Sequence, residues 1–444
     1  MKKILQIGEG NFLRAFAEYF IQNAKNCGED LSISICQPRK NTKIINLLKA
    51  QNERYNIYLK GRKNGKIVDE TVKIDCVSDC IDSVGEFEKL KKFFVSNDLK
   101  IVISNTTEAG ICFNCDDCFD DYPDISFPAK ITYLLNERFA NGADGLIFLP
   151  VELIEDNGDR LKQCVLDYAK LWNYGNAFIS YVNEKCFFCN TLVDRIVTGH
   201  IDGDSDACSV ACEPYASWII EADEKVFDTI PFGKYNSEIQ FCEDLKPYRQ
   251  RKVKILNGAH TITVPAAYMC GFDIVRDVMN DGLFSKYVNL GLDEIKSTIA
   301  MPEDELCAFA DSVKERFNNP FIDHKLYDIS LNSISKFNTR CLPSIIDYIE
   351  LNNKFPKILT FSFAALIAFY THKGSDRTYV INDSESVLNF FENISANPVQ
   401  TVLSNKNFWG RDLTEISGLS DIVSDYYEKI CTNGIKNAVE EAVK

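Results

Sequence analysis

No apolar run in the sequence reaches the roughly 18 residues that a membrane-spanning helix needs. The N-terminal stretch MKKILQIGEGNF carries two lysines, but its apolar segment is too short for a secretory signal peptide. The chain also shows no internal repeat and no low-complexity linker. These absences predict a cytoplasmic globular protein with no membrane partner.

Positive charge is also scarce. The 444 residues include 49 lysines and arginines against 64 aspartates and glutamates, so the formal net charge is −15. Proteins that bind nucleic acid need a basic face for the phosphate backbone, and we therefore expect no nucleic-acid partner. An anionic substrate would need a local basic pocket, and the densest basic cluster is YRQRKVK, residues 248–254. Charge alone implies no protein partner, and we expect a monomer or a weak homo-oligomer.

Cysteine, by contrast, is abundant, with 17 residues. In a large chain without a signal peptide, reduced thiols are expected rather than disulfides. The segment CFNCDDC places Cys112, Cys115 and Cys118 at the C-x2-C-x2-C spacing of bacterial ferredoxins. The Cys-Pro that completes the ferredoxin ligand set is missing, because FDDYP follows. We expect these thiols to be reduced and to bind no metal. The alternative is a metal ion or an iron–sulfur cluster bound at this segment.

The first half of the chain alternates apolar strands with helical patterns. Predicted strands cover Lys2–Gly8, Leu31–Gln37, Leu99–Thr106 and Gly145–Leu153, and KIVDETVKIDCV is predicted to form an inserted hairpin. After about residue 240 helical patterns dominate. The sequence therefore predicts an α/β fold in two domains. Residues 1–240 would form a Rossmann-like, doubly wound parallel sheet that binds a dinucleotide, and residues 241–444 a mostly α-helical substrate and catalytic domain, with a cleft between the two.

The segment GEGNF follows the first strand directly and opens the first helix. Gly8 and Gly10 would let the backbone approach a pyrophosphate, whose charge is stabilised at a helix N-terminus. The third glycine of the G-x-G-x-x-G pattern is replaced by Leu13. The context predicts a nucleotide site, and the alternative is an ordinary tight turn between a strand and a helix.

The ends of two further strands bear on the cofactor. The second strand ends in QPRK, without the carboxylate that usually bonds the adenosine ribose. Arg39 and Lys40 are suited to a 2′-phosphate, so NADP stays open beside NAD. Asn105, Thr106 and Glu108 follow a central strand, at the edge where open α/β sheets bind ligands. Their alternative role is loop capping.

The segment KVKILNGAHT carries a lysine, an asparagine and a histidine at intervals of five and three. On an α-helix, Lys252, Asn257 and His260 would lie at roughly 0°, 140° and 80°, all on one broad side. Such a set suits a lysine acid/base, an amide that stabilises an oxyanion, and an imidazole that orients a substrate. The alternative is a half-buried helix whose polar residues face water.

Seven segments in chain order carry a family resemblance: GEGNFLRAF, SNTTEAGI, LPVELIEDNG, NTLVDRIVTG, EPYASWIIE, KVKILNGAHT and RFNNPFIDHKL. Together they resemble the polyol-specific long-chain dehydrogenases, the mannitol dehydrogenase family. The GEGNFLRAF and NTTEAGI forms are similar to the branch that acts on tagaturonate rather than on mannitol or fructuronate. The resemblance implies a secondary-alcohol dehydrogenase of hexuronate breakdown that interconverts D-altronate and D-tagaturonate with NAD(H) and uses no metal.

The resemblance also implies roles for particular residues. Lys252 would be the general acid/base, with His260 beside it, and Asn257 and Asn190 would form an oxyanion-binding pair. Lys336 and Arg195 would bind the substrate. The implied cofactor-binding residues are Gly8, Gly10, Asn11, Phe12, Asn105, Thr106, Glu108 and Asn157. The arginine that mannitol-type members carry eight residues before the substrate lysine is Asp328 here, a departure that suits a different sugar acid.

The sequence is also compatible with two alternative functions. The first is another polyol or fructuronate (mannonate) dehydrogenase of the same family. The second, from a different class, is a redox or metal sensor that binds a dinucleotide and signals through CFNCDDC.

Overall fold

The computed structural model describes residues 2–122, 124–394 and 397–444. The chain divides into two compact units. The first comprises Met1–Lys60 and Ile67–Leu245, and the second comprises Gly61–Lys66 and Lys246–Lys444.

The strands of the described ranges all lie before Lys246. They are β1 (Lys2–Ile7), β2 (Leu31–Gln37), β3 (Tyr55–Lys63), β4 (Lys66–Ile74), β5 (Val77–Asp82), β6 (Leu99–Ser104), β7 (Ile147–Pro150), β8 (Phe187–Phe188), β9 (Thr191–Asp194), β10 (Val197–Gly199), β11 (Val210–Cys212), β12 (Ser217–Glu221) and β13 (Ile239–Cys242).

Helices occur in both units. Those before Lys246 are α1 (Asn11–Ala15), α2 (Ala17–Asn26), α3 (Lys43–Ala50), α4 (Phe87–Phe94), α5 (Phe127–Ala140), α6 (Asn157–Leu171), α7 (Gly175–Lys185) and α8 (Glu224–Phe227), with 3₁₀ turns at Phe119–Asp121 and Pro231–Tyr235. From Lys246 onward they are α9 (Lys246–Arg251), a π-helical segment (Lys252–Asn257), α10 (Gly258–Met269), α11 (Val275–Asn280), α12 (Gly282–Lys296), α13 (Glu303–Phe317), α14 (Leu326–Ser330), α15 (Ser333–Arg340), α16 (Leu342–Asn352), α17 (Lys357–Tyr370), α18 (Glu385–Glu392), α19 (Pro398–Leu403), α20 (Lys406–Trp409), a 3₁₀ turn at Leu413–Glu415, α21 (Leu419–Asn433) and α22 (Ile435–Ala442).

The main sheet of the first unit has the order β5-β2-β1-β6-β7-β8, and its paired strands run parallel. Ile4 of β1 pairs with Ile33 on one side and with Ile101 on the other, and all three side chains are buried. The chain builds outward from β1 through β2 and then returns to β6, so the strand order reverses between β1 and β6. Ligands of open α/β sheets bind at such a switch point. The predicted Rossmann-like, doubly wound sheet is confirmed.

Two smaller sheets, with the orders β10-β11-β3-β4 and β13-β12-β9, complete the strands of this unit. The hairpin predicted for KIVDETVKIDCV is wrong, because β4 takes up most of that segment and β5 begins at its last residue. The turn lies earlier, at Asn64 and Gly65, where φ is 53° and 74°. An Asn-Gly pair with positive φ at both residues is the usual two-residue hairpin turn.

The second unit is helical, as predicted, and is organised around α17. Every residue from Ile358 to Tyr370 is buried, which agrees with the apolar sequence ILTFSFAALIAFY. A helix that is apolar on all sides is stable only when other elements surround it. Here α10, α12, α21 and α22 pack against it. None of the described helices combines the length and the hydropathy that crossing a bilayer requires.

Candidate functional site

The predicted glycine turn runs from β1 into α1 and packs against the end of β6. Gly8 is buried and has φ of 120°, a value that side chains rarely allow. A Cβ atom on Gly8 would lie 2.8 Å from the carbonyl oxygen of Asn105 and 3.1 Å from Leu13. The backbone N–H of Asn105 donates to the carbonyl of Ile7 at 3.1 Å, which holds the two strand ends together. Both conformation and packing therefore require glycine at this position.

At position 10, neither the backbone conformation nor the packing requires glycine. Its φ is −66°, it is exposed, and a Cβ atom there would meet no described atom within 4 Å. No side chain caps the first turn of α1, so its backbone N–H groups are not satisfied by a capping residue. A residue without a side chain beside such N–H groups suits the close approach of a phosphate group. The turn therefore fits a dinucleotide.

The first turn of α1 also explains the missing third glycine. Leu13 is buried in the core of the first unit and contacts Gly8. Phe12 stacks on Phe16 with ring centroids 4.9 Å apart. Asn11 is exposed and accepts a hydrogen bond from Arg14 at 2.6 Å. Of the predicted cofactor residues in this turn, Asn11 presents its side chain at the surface and Phe12 packs against the core.

Glu152, which sequence reasoning missed, holds the loop that follows β6. Its side chain is 2% exposed and accepts hydrogen bonds from the backbone N–H of Thr106 at 2.9 Å and from the hydroxyls of Thr106 and Ser104, each at 3.1 Å. Burial raises the pKa of this carboxyl, and the hydrogen bonds from Thr106 partly oppose that rise. Glu152 lies in the segment LPVELIEDNG, inside the strand predicted for Gly145–Leu153, whereas the observed β7 ends at Pro150. Asn105 and Thr106 are thus held in place, while Glu108 is exposed.

Two predicted asparagines have their amide groups engaged within the first unit. Asn157 donates to the carbonyls of Glu152 (3.0 Å) and Thr191 (3.1 Å) and accepts from two backbone N–H groups, both at 2.9 Å. Asn190 accepts from the backbone N–H of Asp159 at 3.1 Å and donates to the Asp159 carboxylate at 3.0 Å. An oxyanion role for Asn190 would use its second amide hydrogen. The cofactor role of Asn157 and the oxyanion role of Asn190 stay predictions.

Arg195 is buried in the first unit. Its guanidinium donates to the carbonyls of Glu213 at 3.0 Å and Ala15 at 2.7 Å and lies 4.4 Å from the ring centroid of Tyr19. These contacts tie the end of α1 to the chain near β9, which is a structural role. A direct contact with substrate stays a prediction.

The basic residues after β2 lie at the surface. Arg39 and Lys40 are exposed, and Lys40 forms an ion pair with Asp124 at 2.9 Å. Both side chains are therefore accessible to a 2′-phosphate at this strand end.

In the second unit, the segment of the lysine, asparagine and histidine motif is π-helical from Lys252 to Asn257. The α-helical geometry predicted for it is wrong. In a π-helix the hydrogen bonds run between residues five apart, and the N–H of Gly258 donates to the carbonyl of Val253 in this way. The wider turn brings Lys252 and Asn257, five residues apart, closer to the same side than the roughly 140° that would separate them on an α-helix. Single π-helical turns are rare in proteins, and those that occur are often found at functional sites.

His260 follows on α10, in the first turn after the π-helical segment. Its ring lies 4.1 Å from that of Phe317 and 5.0 Å from that of His324. Burial lowers the pKa of His260 well below the usual 6.5. The imidazole is therefore neutral at pH 7. Neighbours that lower its pKa further are His324, Arg316, Arg340 and Lys336.

Lys336 lies on α15, which packs against both α10 and the π-helical segment. Its ammonium group donates to the carbonyl of Ile329 at 2.8 Å. Burial and the positive charge of Arg340 lower the pKa of Lys336, while Asp383 opposes that change. Asp328, at the position that departs from mannitol-type members, is exposed.

The structure thus places four of the predicted site residues in the second unit, and Lys336 is near enough to act on His260 through its charge. Sequence reasoning missed Arg316, His324 and Arg340. The first two belong to RFNNPFIDHKL, which carried the resemblance but was given no chemical role. Arg340 gave no signal in the sequence.

Metal ligands are not grouped in the described ranges. No three or more histidine, cysteine, aspartate or glutamate side chains there are arranged to hold a metal ion. Cys112, Cys115 and Cys118 are exposed free thiols.

Two family models match the chain: the mannitol dehydrogenase Rossmann domain over residues 2–231 and the mannitol dehydrogenase C-terminal domain over residues 244–431. The chain belongs to the mannitol dehydrogenase family. The resemblance seen in the sequence is therefore confirmed.

Relatives named altronate oxidoreductase align with this family member over nearly its whole length. The protein of Bacteroides thetaiotaomicron is 36% identical, covering 99% of this chain and 96% of the relative. The proteins of Bacillus subtilis and Escherichia coli are each 37% identical, covering 99% of this chain and 95% and 96% of the relatives.

Two solved structures of dehydrogenases share the fold. Mannitol 2-dehydrogenase of Pseudomonas fluorescens, solved with NAD and D-mannitol, is 22% identical with a TM-score of 0.68, covering 99% of this chain and 94% of that one. A D-sorbitol dehydrogenase is 18% identical with a TM-score of 0.80, covering 98% and 94%. The mannitol dehydrogenase fold thus extends over almost the entire chain.

Proposed function

We propose that this member of the mannitol dehydrogenase family interconverts D-altronate and D-tagaturonate with NAD(H). The observation that carries the proposal is the setting of the π-helical turn in the second unit. Lys252 and Asn257 share one side of that turn, and the neutral His260 next to it lies among cationic side chains, although the protein as a whole is strongly acidic. A basic environment suits a sugar acid. The identity of 36–37% to altronate oxidoreductases supports the same substrate pair.

The proposal assigns the cofactor to the first unit. Gly8 keeps the turn after β1 tight, Gly10 leaves room beside the N–H groups of α1, and Glu152 holds the loop after β6. The cofactor supplies the acceptor or donor of a hydride. We propose NAD, because the Pseudomonas fluorescens structure of the same fold was solved with NAD.

The proposal assigns the proton transfer to the second unit. In the oxidising direction the uncharged amine of Lys252 accepts the hydroxyl proton, and in the reducing direction its ammonium form returns a proton to the ketone oxygen. Asn257 donates an amide hydrogen to that oxygen as negative charge develops, and we assign the same role to Asn190. His260, neutral at pH 7, orients a neighbouring hydroxyl of the substrate.

A screen of NADH oxidation over keto-hexuronates and ketohexoses tests the proposal. We expect the highest kcat/KM with tagaturonate, at least about tenfold above fructuronate, fructose and tagatose. A preference for fructuronate would favour the mannonate alternative. A protein that oxidises NADH with none of these compounds but carries a stoichiometric metal or a visible absorption band would favour the sensor alternative.

A further inference from the structure

Positive charge surrounds His260 in the second unit. The side chains that lower its pKa come from α13, from the segment before α14 and from α15. Of these elements, α13 and α15 both pack against the π-helical segment, and α14 and α15 pack against α10. The mechanism proposed above gives no task to two of these cations, Arg316 and Arg340.

Arg340 is placed directly against the turn that carries Asn257. One nitrogen of its guanidinium lies 3.5 Å from the hydroxyl oxygen of Thr261, and that hydroxyl donates to the carbonyl of Asn257 at 2.8 Å. A Cβ atom on Gly258 would lie 3.5 Å from the Arg340 carbonyl oxygen, and the thiol of Cys341 contacts the Gly258 carbonyl at 3.8 Å. The end of α15 is therefore seated on the start of α10.

Arg340 and Lys336 differ from most other half-buried cations of this unit in their partners. Arg276 has a carboxylate of Asp323 at 2.6 Å, and Arg377 has one of Asp273 at 2.5 Å. Among the described residues, neither Arg340 nor Lys336 has a carboxylate at ion-pair distance. Both side chains are partly buried, and burial lowers the pKa of each because it disfavours the charged form. A bound anion would compensate for the free energy lost when these two charges are removed from water.

We infer that Arg340, together with Lys336, binds the carboxylate of the sugar-acid substrate, an inference that rests on the proposed function. The two residues are four apart on α15 and so lie on the same face, one turn from each other. The planar guanidinium of Arg340 matches a carboxylate with two parallel hydrogen bonds, and the ammonium group of Lys336 adds a second positive charge. This pair selects sugar acids over neutral polyols of the same shape.

The test is the substitution Arg340→Met, with Arg340→Gln as a second variant that keeps a polar side chain beside Thr261. We expect the KM for tagaturonate to rise roughly 100-fold, because one partner of a desolvated charged pair is lost. We expect kcat to fall by less than about tenfold and the Kd for NADH to stay within about twofold. Arg411→Met, which changes an exposed arginine of the same unit, should leave all three constants unchanged.

The possible results separate this inference from the proposed function. If either variant binds NADH normally and keeps a KM within about threefold of the wild type, Arg340 does not bind the carboxylate, although the wild-type activity still stands. A fall in kcat at unchanged KM would also overturn the inference. A wild-type protein that reduces neutral ketohexoses but no keto-hexuronate would overturn both the inference and the proposed function.

Discussion

The ammonium group of Lys254 lies 2.6 Å from a carboxylate oxygen of Asp347 and 3.3 Å from the carbonyl oxygen of Thr298. Lys254 is 7% exposed, whereas Lys252, two residues earlier in the π-helical segment, is half-buried. Two neighbouring lysines of one motif are thus placed in different surroundings. The contacts of Lys254 give it a structural role, and the proposed chemistry needs Lys252.

Lys254→Met should therefore weaken folding and leave catalysis nearly intact. Loss of the ion pair leaves Asp347, which is partly exposed and can be solvated again, so we expect about 1–2 kcal/mol less free energy of unfolding. Urea denaturation measures that change, and steady-state kinetics should give a kcat/KM within about threefold of the wild type. A large loss of activity at unchanged stability would place Lys254 in the chemistry instead.

Lys252→Ala should show the opposite pattern. We expect kcat to fall roughly a thousandfold because the positioned acid/base is removed, while the Kd for NADH and the free energy of unfolding change little. NADH fluorescence titration and urea denaturation provide these two controls. A variant that kept more than about a tenth of the wild-type kcat would rule out Lys252 as the acid/base.

The two glycines after β1 form a second matched pair. Gly10→Ala introduces a methyl group at an allowed φ with no described atom within 4 Å, so the stability of the protein should not change. If a phosphate approaches the backbone there, the Kd for NADH should rise at least about tenfold. Gly8→Ala should reduce both stability and NADH binding, because its Cβ atom would meet the Asn105 carbonyl at a strained φ of 120°.

Thermal unfolding and NADH titration of both glycine variants test whether the turn holds a phosphate at Gly10 and whether packing requires glycine at position 8. Normal NADH binding by a stable Gly10→Ala variant would mean that the turn joins β1 to α1 without holding a phosphate. A Gly8→Ala variant as stable as the wild type would contradict the packing that Asn105 and Leu13 impose.

Much of the parallel sheet could be predicted, because its central strands are continuous apolar runs. Strand β2 was predicted at its observed bounds, and β1, β6 and β7 within a few residues of theirs. Strand β8 has only two residues, and β5 begins within three residues of the end of β4, so neither left a separate pattern. Short strands are defined by the neighbours they pair with, which a local sequence pattern does not contain.

The site was predictable in its residue types and less so in its geometry. The spacing of Lys252, Asn257 and His260 marked a constellation, but apolar periodicity does not distinguish an α-helical turn from a π-helical one. Arg340 follows Lys336 on a short helix with no unusual local composition. Its place beside Thr261 comes from the packing of α15 on α10, which only the tertiary structure shows.

The histidines of the second unit should make stability depend on pH. Burial lowers the pKa of both His260 and His324 in the folded protein, whereas an unfolded histidine titrates near 6.5. Between those values the unfolded chain binds more protons, so these residues stabilise the fold fully above about pH 6.5 and progressively less as the pH falls.

The substitution His260→Asn removes one such group. Its free energy of unfolding should therefore decline less steeply than that of the wild type between pH 7 and pH 5, by up to about 1.4 kcal/mol per pH unit. Urea denaturation at a series of pH values measures the two slopes. Identical slopes would show that the imidazole of His260 titrates normally in the folded protein and is not held neutral.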